Sequence, residues 1–260
     1  MEEYKFESIY QFINIVYKSV KNEVELWGYD KEEFINSVSK FSKKSLLHIY
    51  AECTLFYYYM EYFKKNGDCI EEDYMQDWLH LFKCYNVYCK NEKYNLDDDD
   101  SAYKWFESNK ECLWELFSVI ANEIVHILFT NKNFLIDFNK LVVKTLEETE
   151  IPKQYLTPKK TIKRQNIPQW VKRAVFHRDK GRCVFCNKDL TGIITTLNSS
   201  NFDHILPLDK MGANDPCNIQ LSCETCNKSK GANEHTPIYK YEELLSLIHI
   251  SEPTRRSYIS

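Results

Sequence analysis

The chain has 260 residues, of which 43% are hydrophobic and 28% are charged, and its formal net charge is −4. This composition supplies enough apolar material for a buried core in one large or two modest domains. No apolar stretch approaches membrane-spanning length and no secretory leader opens the sequence, so we expect a folded cytoplasmic protein that does not act at a membrane.

The charge is divided unevenly along the chain. Residues 1–150 hold 17 basic and 28 acidic residues, a net charge of −11, whereas residues 151–260 hold 17 basic and 10 acidic residues, a net charge of +7. Because phosphate groups attract a basic surface and repel an acidic one, the second half is the part that we expect to meet a polyanion.

Residues 1–150 show the periodicity of an all-α domain. Apolar residues recur there at spacings of three and four, the pattern of helices that each bury one face. The pattern covers residues 6–24, 31–65, 70–90, 101–130 and 132–148. Ordinary helix lengths then predict about five or six helices. The sequence does not disclose the role of this domain, which could be a sensor, a dimerisation unit or a regulatory module that receives a protein partner.

A basic, proline-containing segment follows at residues 151–167, and its charge continues to residue 173. Residues 151–173 contain no acidic residue and seven basic ones, namely Lys153, Lys159, Lys160, Lys163, Arg164, Lys172 and Arg173. A solvated linker and a surface that follows a phosphate backbone are equally good interpretations. Pro168 then favours the beginning of a short helix, because proline is well tolerated in a first helical turn.

Two Cys-x-x-Cys pairs stand out among the ten cysteines. They are Cys183-Val184-Phe185-Cys186 and Cys223-Glu224-Thr225-Cys226, separated by 36 residues. Each pair can hold one ion from a tight turn, and four thiolates form a typical tetrahedral site for structural Zn²⁺. Redox chemistry of the thioredoxin type is disfavoured, because there are two pairs and no accompanying βαβ pattern.

Residues that carry chemistry lie between these pairs and directly after the second one. They are Asp203-His204-Ile205-Leu206-Pro207-Leu208, Asn218-Ile219-Gln220-Leu221 and Asn227-Lys228-Ser229-Lys230-Gly231, while Arg178-Asp179 and Arg182 precede the first pair. In order and spacing, these elements closely resemble the zinc-containing HNH endonuclease family over about residues 168–235.

The resemblance implies a ββα-metal finger, and with the preceding helices it implies an α+β fold class. The expected units are an N-terminal all-α helical domain at 1–150, a linker at 151–167, a small zinc-stapled HNH nuclease domain at 168–248 and a disordered tail at 249–260. In the finger, the first strand would carry Asp203 and His204, the second strand Asn218 and the helix Asn227.

The resemblance also implies a role for each of these four residues. His204, with an ordinary pKa of about 6.5, would be mostly neutral and would take a proton from the attacking water. Asp203 and Asn227 would hold a catalytic Mg²⁺ or Mn²⁺, because hard cations prefer oxygen ligands. Asn218 would orient His204 through a hydrogen bond to its backbone. Asp203 and His204 can serve one site only near a strand end, because neighbouring side chains of a strand point to opposite faces.

Four basic residues are candidates for phosphate contact. They are Arg178 and Arg182, which precede the first Cys-x-x-Cys knuckle, and Lys228 and Lys230, which lie on the helix after the second knuckle. A solvated basic face is an equally good interpretation of each of them.

The leading functional hypothesis is an endonuclease that nicks or cuts double-stranded DNA with a single catalytic metal ion. By analogy, a nuclease joined to a sensor would suit a restriction-type or anti-phage effector. The alternative is a non-catalytic zinc ribbon that binds nucleic acid or protein. Such a ribbon needs the four cysteines but has no need for Asp203, His204, Asn218 and Asn227 together. Cleavage of RNA or of branched DNA also stays open.

Overall fold

The computed structural model describes residues 4–25, 31–66, 70–89, 101–191 and 201–231. Within these ranges the chain forms nine α-helices and one two-stranded antiparallel sheet. Among the helices described, none combines the length and the apolar character that crossing a membrane requires. The tail predicted at 249–260 lies outside the described residues.

Seven of these helices precede residue 150 and confirm the all-α prediction. They are α1 (Ile9–Lys21), α2 (Lys31–Ser39), α3 (Leu46–Asn66), α4 (Glu72–Cys84), α5 (Ser101–Ser108), α6 (Lys110–Leu128) and α7 (Lys132–Glu148). The expected number of five or six was too low, because two predicted helices are each divided. Before α3, the backbone N–H and hydroxyl of Ser45 both bond to His48 Nδ1, which caps the new helix. Before α6, the Asn109 side chain donates to the carbonyl of Trp105 and so competes with helical bonding.

The core of the helical part is rich in aromatic side chains. The rings of Phe63 and Phe106 stack with centroids 3.5 Å apart, and Tyr59 stacks on Phe117 at 5.6 Å. Trp78 meets Tyr59 edge to face at 4.8 Å. These aromatic residues at helical spacing therefore stabilise the packing of α3, α4, α5 and α6 against one another.

The second part of the chain contains α8 (Gln169–Arg178), β1 (Phe202–His204), β2 (Ile219–Leu221) and α9 (Glu224–Lys230). The strands pair antiparallel, with Asp203 opposite Gln220 and His204 opposite Ile219. The predicted ββα order is confirmed. The prediction that Asn218 lies on the second strand was wrong, because Asn218 ends a single turn of 3₁₀-helix that precedes β2. Pro216 begins this turn, and the Asp215 carboxylate caps it by accepting a hydrogen bond from the Cys217 N–H.

The loop between the strands, residues 205–218, is embedded in the helical part. Leu208, Ala213 and Cys217 belong to the same buried cluster as the helical core. Asp215 Oδ2 accepts a hydrogen bond of 2.8 Å from the Leu46 N–H at the beginning of α3. The helices and the finger therefore share a continuous core across this loop.

We predict that Asp215→Ala lowers the free energy of unfolding by about 3 kcal/mol, because the buried N–H groups of Leu46 and Cys217 both lose their acceptor. Urea unfolding followed by circular dichroism measures this loss. Asp209→Ala removes an exposed carboxylate from the same loop and should change stability by less than about 0.5 kcal/mol. Equal unfolding midpoints for the two variants would contradict the prediction.

Candidate metal centre and adjoining cleft

The four paired cysteines converge in space. Their sulfur atoms all lie within 4.8 Å of one another, and Cys186 Sγ is 3.8 Å from Cys223 Sγ. Four sulfurs around a tetrahedral Zn²⁺, each about 2.3 Å from the ion, lie about 3.8 Å apart. The donor set and its spacing therefore fit a structural zinc ion.

Local backbone structure prepares both knuckles for a metal. Cys183 exchanges backbone hydrogen bonds with Asn187 and Lys188, which closes a tight turn. Cys223 stands directly before α9, where its sulfur accepts from the Cys226 N–H at 3.5 Å. Burial alone would raise the pKa of Cys223, but this hydrogen bond and those from the neighbouring thiols lower it, while burial and the same thiol contacts raise the pKa of Cys186 and Cys226. A thiolate is the form that binds zinc, so Cys223 is the ligand whose surroundings favour the ligating state.

A cleft of about 600 Å³ lies beside the sheet. Asp203 and His204 of β1 and Asn227 of α9 line one side of it. Thr157, Thr161 and Arg164 of the basic segment also line it. Both neighbours on β1 reach the same cleft because the strand ends at His204. Three of the four residues expected to carry the chemistry thus line one cleft.

His204 is a buried polar group without a regular hydrogen bond. The residue is 1% exposed, and neither ring nitrogen makes a hydrogen bond of regular geometry in the described part of the chain. Burial lowers the pKa of His204 to about 3, the positive charges of Arg164 and Lys230 act in the same direction, and an interaction with the Asn214 side chain partly opposes them. The imidazole is therefore neutral at physiological pH. A buried polar group that forgoes its hydrogen bonds is costly, and such groups concentrate at functional sites.

Lys230 does not lie where the sequence suggested. It was a candidate phosphate contact, but its side chain is 1% exposed and its ammonium group is 2.5 Å from Asp203 Oδ2. The same group donates to the backbone carbonyl of His204. Helix α9 packs so that Lys230 turns inward to compensate the Asp203 carboxylate. Lys230 would therefore compete with a divalent cation for one oxygen of Asp203.

Arg178 is also internal rather than free for a phosphate. Its guanidinium makes two hydrogen bonds to the Asp179 carboxylate and one to the carbonyl of Ile219. It lies 4.8 Å above the ring of Phe129. This side chain therefore connects α8 to β2 and to the helical part. The carboxylate of its neighbour Asp179 compensates its charge in the interior.

The other two basic candidates lie nearer the surface. Arg182 is half-buried and donates to the carbonyl of Asn187 within the first knuckle. Lys228 is exposed and pairs with Glu224 one helical turn earlier. Of the four basic residues, Lys228 is the one whose exposure leaves it most accessible to a phosphate group.

Asn218 fixes the chain directly after His204. Its side-chain oxygen accepts from the Leu206 N–H at 2.8 Å, and its amide donates to the carbonyls of Leu206 and Ala213. Its own carbonyl accepts from the Ile205 N–H. The expected bond to the backbone of His204 is therefore replaced by bonds to the next two residues. Asn218 thus holds the end of β1 in place.

Arg164 is the cleft residue that the sequence did not single out. It appeared there as one of seven basic residues in residues 151–173, without a motif to distinguish it. The high positive charge of residues 151–173 was the sequence feature that could have pointed to Arg164. Its place on the cleft depends on packing between parts of the chain that are distant in sequence.

Comparison with known proteins identifies the finger. A family model described as HNH endonuclease matches residues 183–233. These residues include the four cysteines and the cleft residues Asp203, His204 and Asn227, which confirms the family resemblance for this part of the chain. No curated protein and no solved structure gives a significant match to the chain.

Proposed function

We propose that this protein is an endonuclease that hydrolyses phosphodiester bonds of double-stranded DNA with the help of a divalent cation. The observation that carries the proposal is the neutral, buried imidazole of His204 in a cleft that Asp203 and Asn227 also line. A buried imidazole without a regular hydrogen bond is typical of a functional site, because a buried structural one is usually fully hydrogen-bonded. The match of residues 183–233 to an HNH endonuclease model supports the same chemistry.

In this proposal His204 is the general base. Its neutral ring accepts a proton from a water molecule in the cleft, and the resulting hydroxide attacks the phosphorus atom. A pKa of about 3 makes the free ring a weak base, and the negative charge of a bound phosphodiester would raise that pKa and strengthen the base. The bond from phosphorus to the 3′ oxygen breaks, and the leaving oxygen takes a proton from a second water molecule, which gives a 5′-phosphate and a 3′-hydroxyl. The Asn218 contacts hold the end of β1, so that His204 keeps its orientation during the transfer.

Asp203 and Asn227 are the residues that would hold the catalytic Mg²⁺ or Mn²⁺. A carboxylate and an amide oxygen on one cleft match the preference of hard cations for oxygen. When bound, the ion neutralises charge on the phosphate and on the leaving oxygen. The zinc ion of the four cysteines has a separate, structural role, since all four positions of a tetrahedral ion are filled by thiolates.

We place this activity in the cytoplasm, in a restriction-type or anti-phage effector. A finger of this kind contacts mainly the DNA backbone, so recognition of the target must come from the rest of the chain or from a partner. The helical part carries a net charge of −11 and suits a sensor, a dimerisation surface or a regulatory module better than a second DNA-binding face.

The test is incubation of the zinc-loaded protein with supercoiled plasmid, linear duplex, branched DNA and RNA in Mg²⁺ or Mn²⁺. We expect nicked and linear plasmid with ends that DNA ligase can rejoin, and no product without the divalent cation. Zinc content is measured before and after the incubation, so that loss of the structural ion is not mistaken for loss of the catalytic one. Failure to cut every substrate would overturn the proposal, and cleavage of RNA alone would overturn its assignment to DNA.

A further inference from the structure

Part of the basic segment forms a short, ordered hairpin, residues 155–164, called here the basic hairpin. Leu156 and Ile162 pair as an antiparallel bridge. Inside that bridge, the Thr157 N–H donates to the Thr161 carbonyl at 2.8 Å, and the two threonine hydroxyls share a hydrogen bond of 2.8 Å. Lys160 adopts a left-handed conformation, with φ of 61°, that completes the turn. The tip of the hairpin therefore has a fixed geometry.

The basic hairpin is fastened both to the helical part and to the loop between the strands. Ile162 is buried in the helical core, and the Tyr155 hydroxyl donates to Asn36 of α2 at 2.8 Å. On the other side, the Asn214 amide donates to the carbonyl of Lys163, and Asn214 Oδ1 accepts from the Gln165 N–H. Asn214 belongs to the loop that follows β1. The hairpin is thus held in a fixed position relative to the finger and is not a free linker.

The basic hairpin brings the Arg164 charge to the cleft, which the Asp203 and Asp209 carboxylates also line, and it carries Lys159 and Lys160 at its tip. Arg164 lines the cleft together with Thr157 and Thr161. In the part of the chain that the structure describes, the side chains of Arg164, Lys159 and Lys160 make no hydrogen bond or ion pair. A guanidinium can bind two phosphate oxygens at once through its planar N–H groups, and lysines bind phosphate as point charges.

We propose that the basic hairpin is the phosphate-binding face of this cleft, with Arg164 on the scissile phosphodiester and Lys159 and Lys160 on the adjoining backbone of duplex DNA. This inference rests on the proposed function and adds a substrate contact to it. Arg164 lies outside residues 183–233, so this contact comes from the part of the chain that the family model does not cover. Positive charge aimed at the phosphate stabilises the transition state, in which negative charge increases. One task of the helical part is then to hold the hairpin over the nuclease site.

The test compares three variants with a control. Arg164→Gln removes the guanidinium charge, Arg164→Lys keeps a charge without the planar group, and the double variant Lys159→Gln/Lys160→Gln neutralises the tip. The control is Lys64→Gln, which removes one exposed charge near the end of α3. Since a helix rises about 1.5 Å per residue, Lys64 lies roughly 27 Å along α3 from Leu46, the residue that touches the finger loop.

We expect Arg164→Gln to lower the single-turnover rate of cleavage of a 30-base-pair duplex about tenfold to a hundredfold. Arg164→Lys should recover part of that rate. The double lysine variant should lower duplex affinity, and its plot of log binding constant against log salt concentration should be less steep by about two. Lys64→Gln should match the parent protein in rate and in salt dependence, and all variants should keep their zinc and their melting temperature.

The outcomes separate this inference from the proposed function. If the parent protein cuts DNA and the hairpin variants match Lys64→Gln in rate and salt dependence, the inference is wrong and the proposed function stands. If the parent protein cuts nothing, the proposed function fails, and the binding measurement still decides on the hairpin. A salt dependence that the hairpin variants leave unchanged then overturns the inference, whereas a reduced one supports it.

Discussion

Replacement of His204 with alanine is expected to lower plasmid cleavage at least about a hundredfold while the zinc content stays at one ion per chain. Loss of a general base commonly slows a reaction by about a hundredfold to ten-thousandfold, and a hundredfold corresponds to about 2.7 kcal/mol in the activation free energy. The side chain is outside the cysteine cluster, and its ring nitrogens make no regular hydrogen bond in the described part of the chain, only an interaction with the Asn214 side chain. The substitution therefore removes the proposed chemistry and few polar contacts of the fold.

The control for this prediction is a histidine of the same finger that lies outside the cleft. His177 on α8 is exposed, and His177→Ala should cut plasmid at the parent rate. Duplex affinity and thermal unfolding are measured for both variants, because a buried ring also contributes packing. If His204→Ala cut as fast as His177→Ala, His204 could not be the general base, and the non-catalytic zinc ribbon would become the better account.

The zinc centre was the part of the site that the sequence predicted best. Each pair of ligands comes from one tight turn, so local spacing alone brings two sulfurs together. The two strands and the helix then follow from the order of the motif elements. Asp203, His204 and Asn227 could be assigned to one site because the resemblance placed the first strand beside the helix of the finger, which periodicity alone does not show.

The basic residues were harder to interpret, because a Lys or Arg is most often a surface residue. Lys230 is buried by a partner 27 positions earlier, Asp203, and no local pattern announces that pair. Arg178 stands beside Asp179, a local signal that could have indicated an internal ion pair. Charge density identified the segment that contains Arg164, but only packing between distant parts of the chain places that residue on the cleft.

The relation between the helices and the finger was equally hidden in the sequence. A change of net charge and three prolines suggested a linker, yet Ile162 is buried among the helices and Asn214 bonds to the segment from the finger side. Buried polar residues of the finger loop make several of these connections. Asp215 caps α3 and Asn139 of α7 donates to the carbonyl of Cys217. Such contacts depend on which surfaces pack together, and no periodicity or motif in a single sequence indicates which surfaces do so.

Replacement of Cys223 with serine is expected to fail in a different way from His204→Ala, since it should release zinc and unfold the finger before it affects chemistry. Cys223 supplies one of four clustered sulfurs, and its sulfur also accepts the first hydrogen bond of α9. The separate core of the finger is small, with eight buried residues in the part that the structure describes, so we expect the metal to supply much of its stability. Zinc binding contributes about 10 kcal/mol or more to folding in isolated zinc fingers, and a hydroxyl is a much poorer ligand than a thiolate.

For Cys223→Ser we therefore expect well under one zinc per chain by elemental analysis, rapid proteolysis near the finger and no cleavage. The circular dichroism signal should fall only slightly, because α9 has seven residues whereas α1 to α7 are much longer in total. Cys112→Ser is the matched control, since that cysteine is outside the cluster and serine can keep its bond to the Tyr88 carbonyl. Full zinc content and normal cleavage in Cys223→Ser would show that the four cysteines do not hold the finger together.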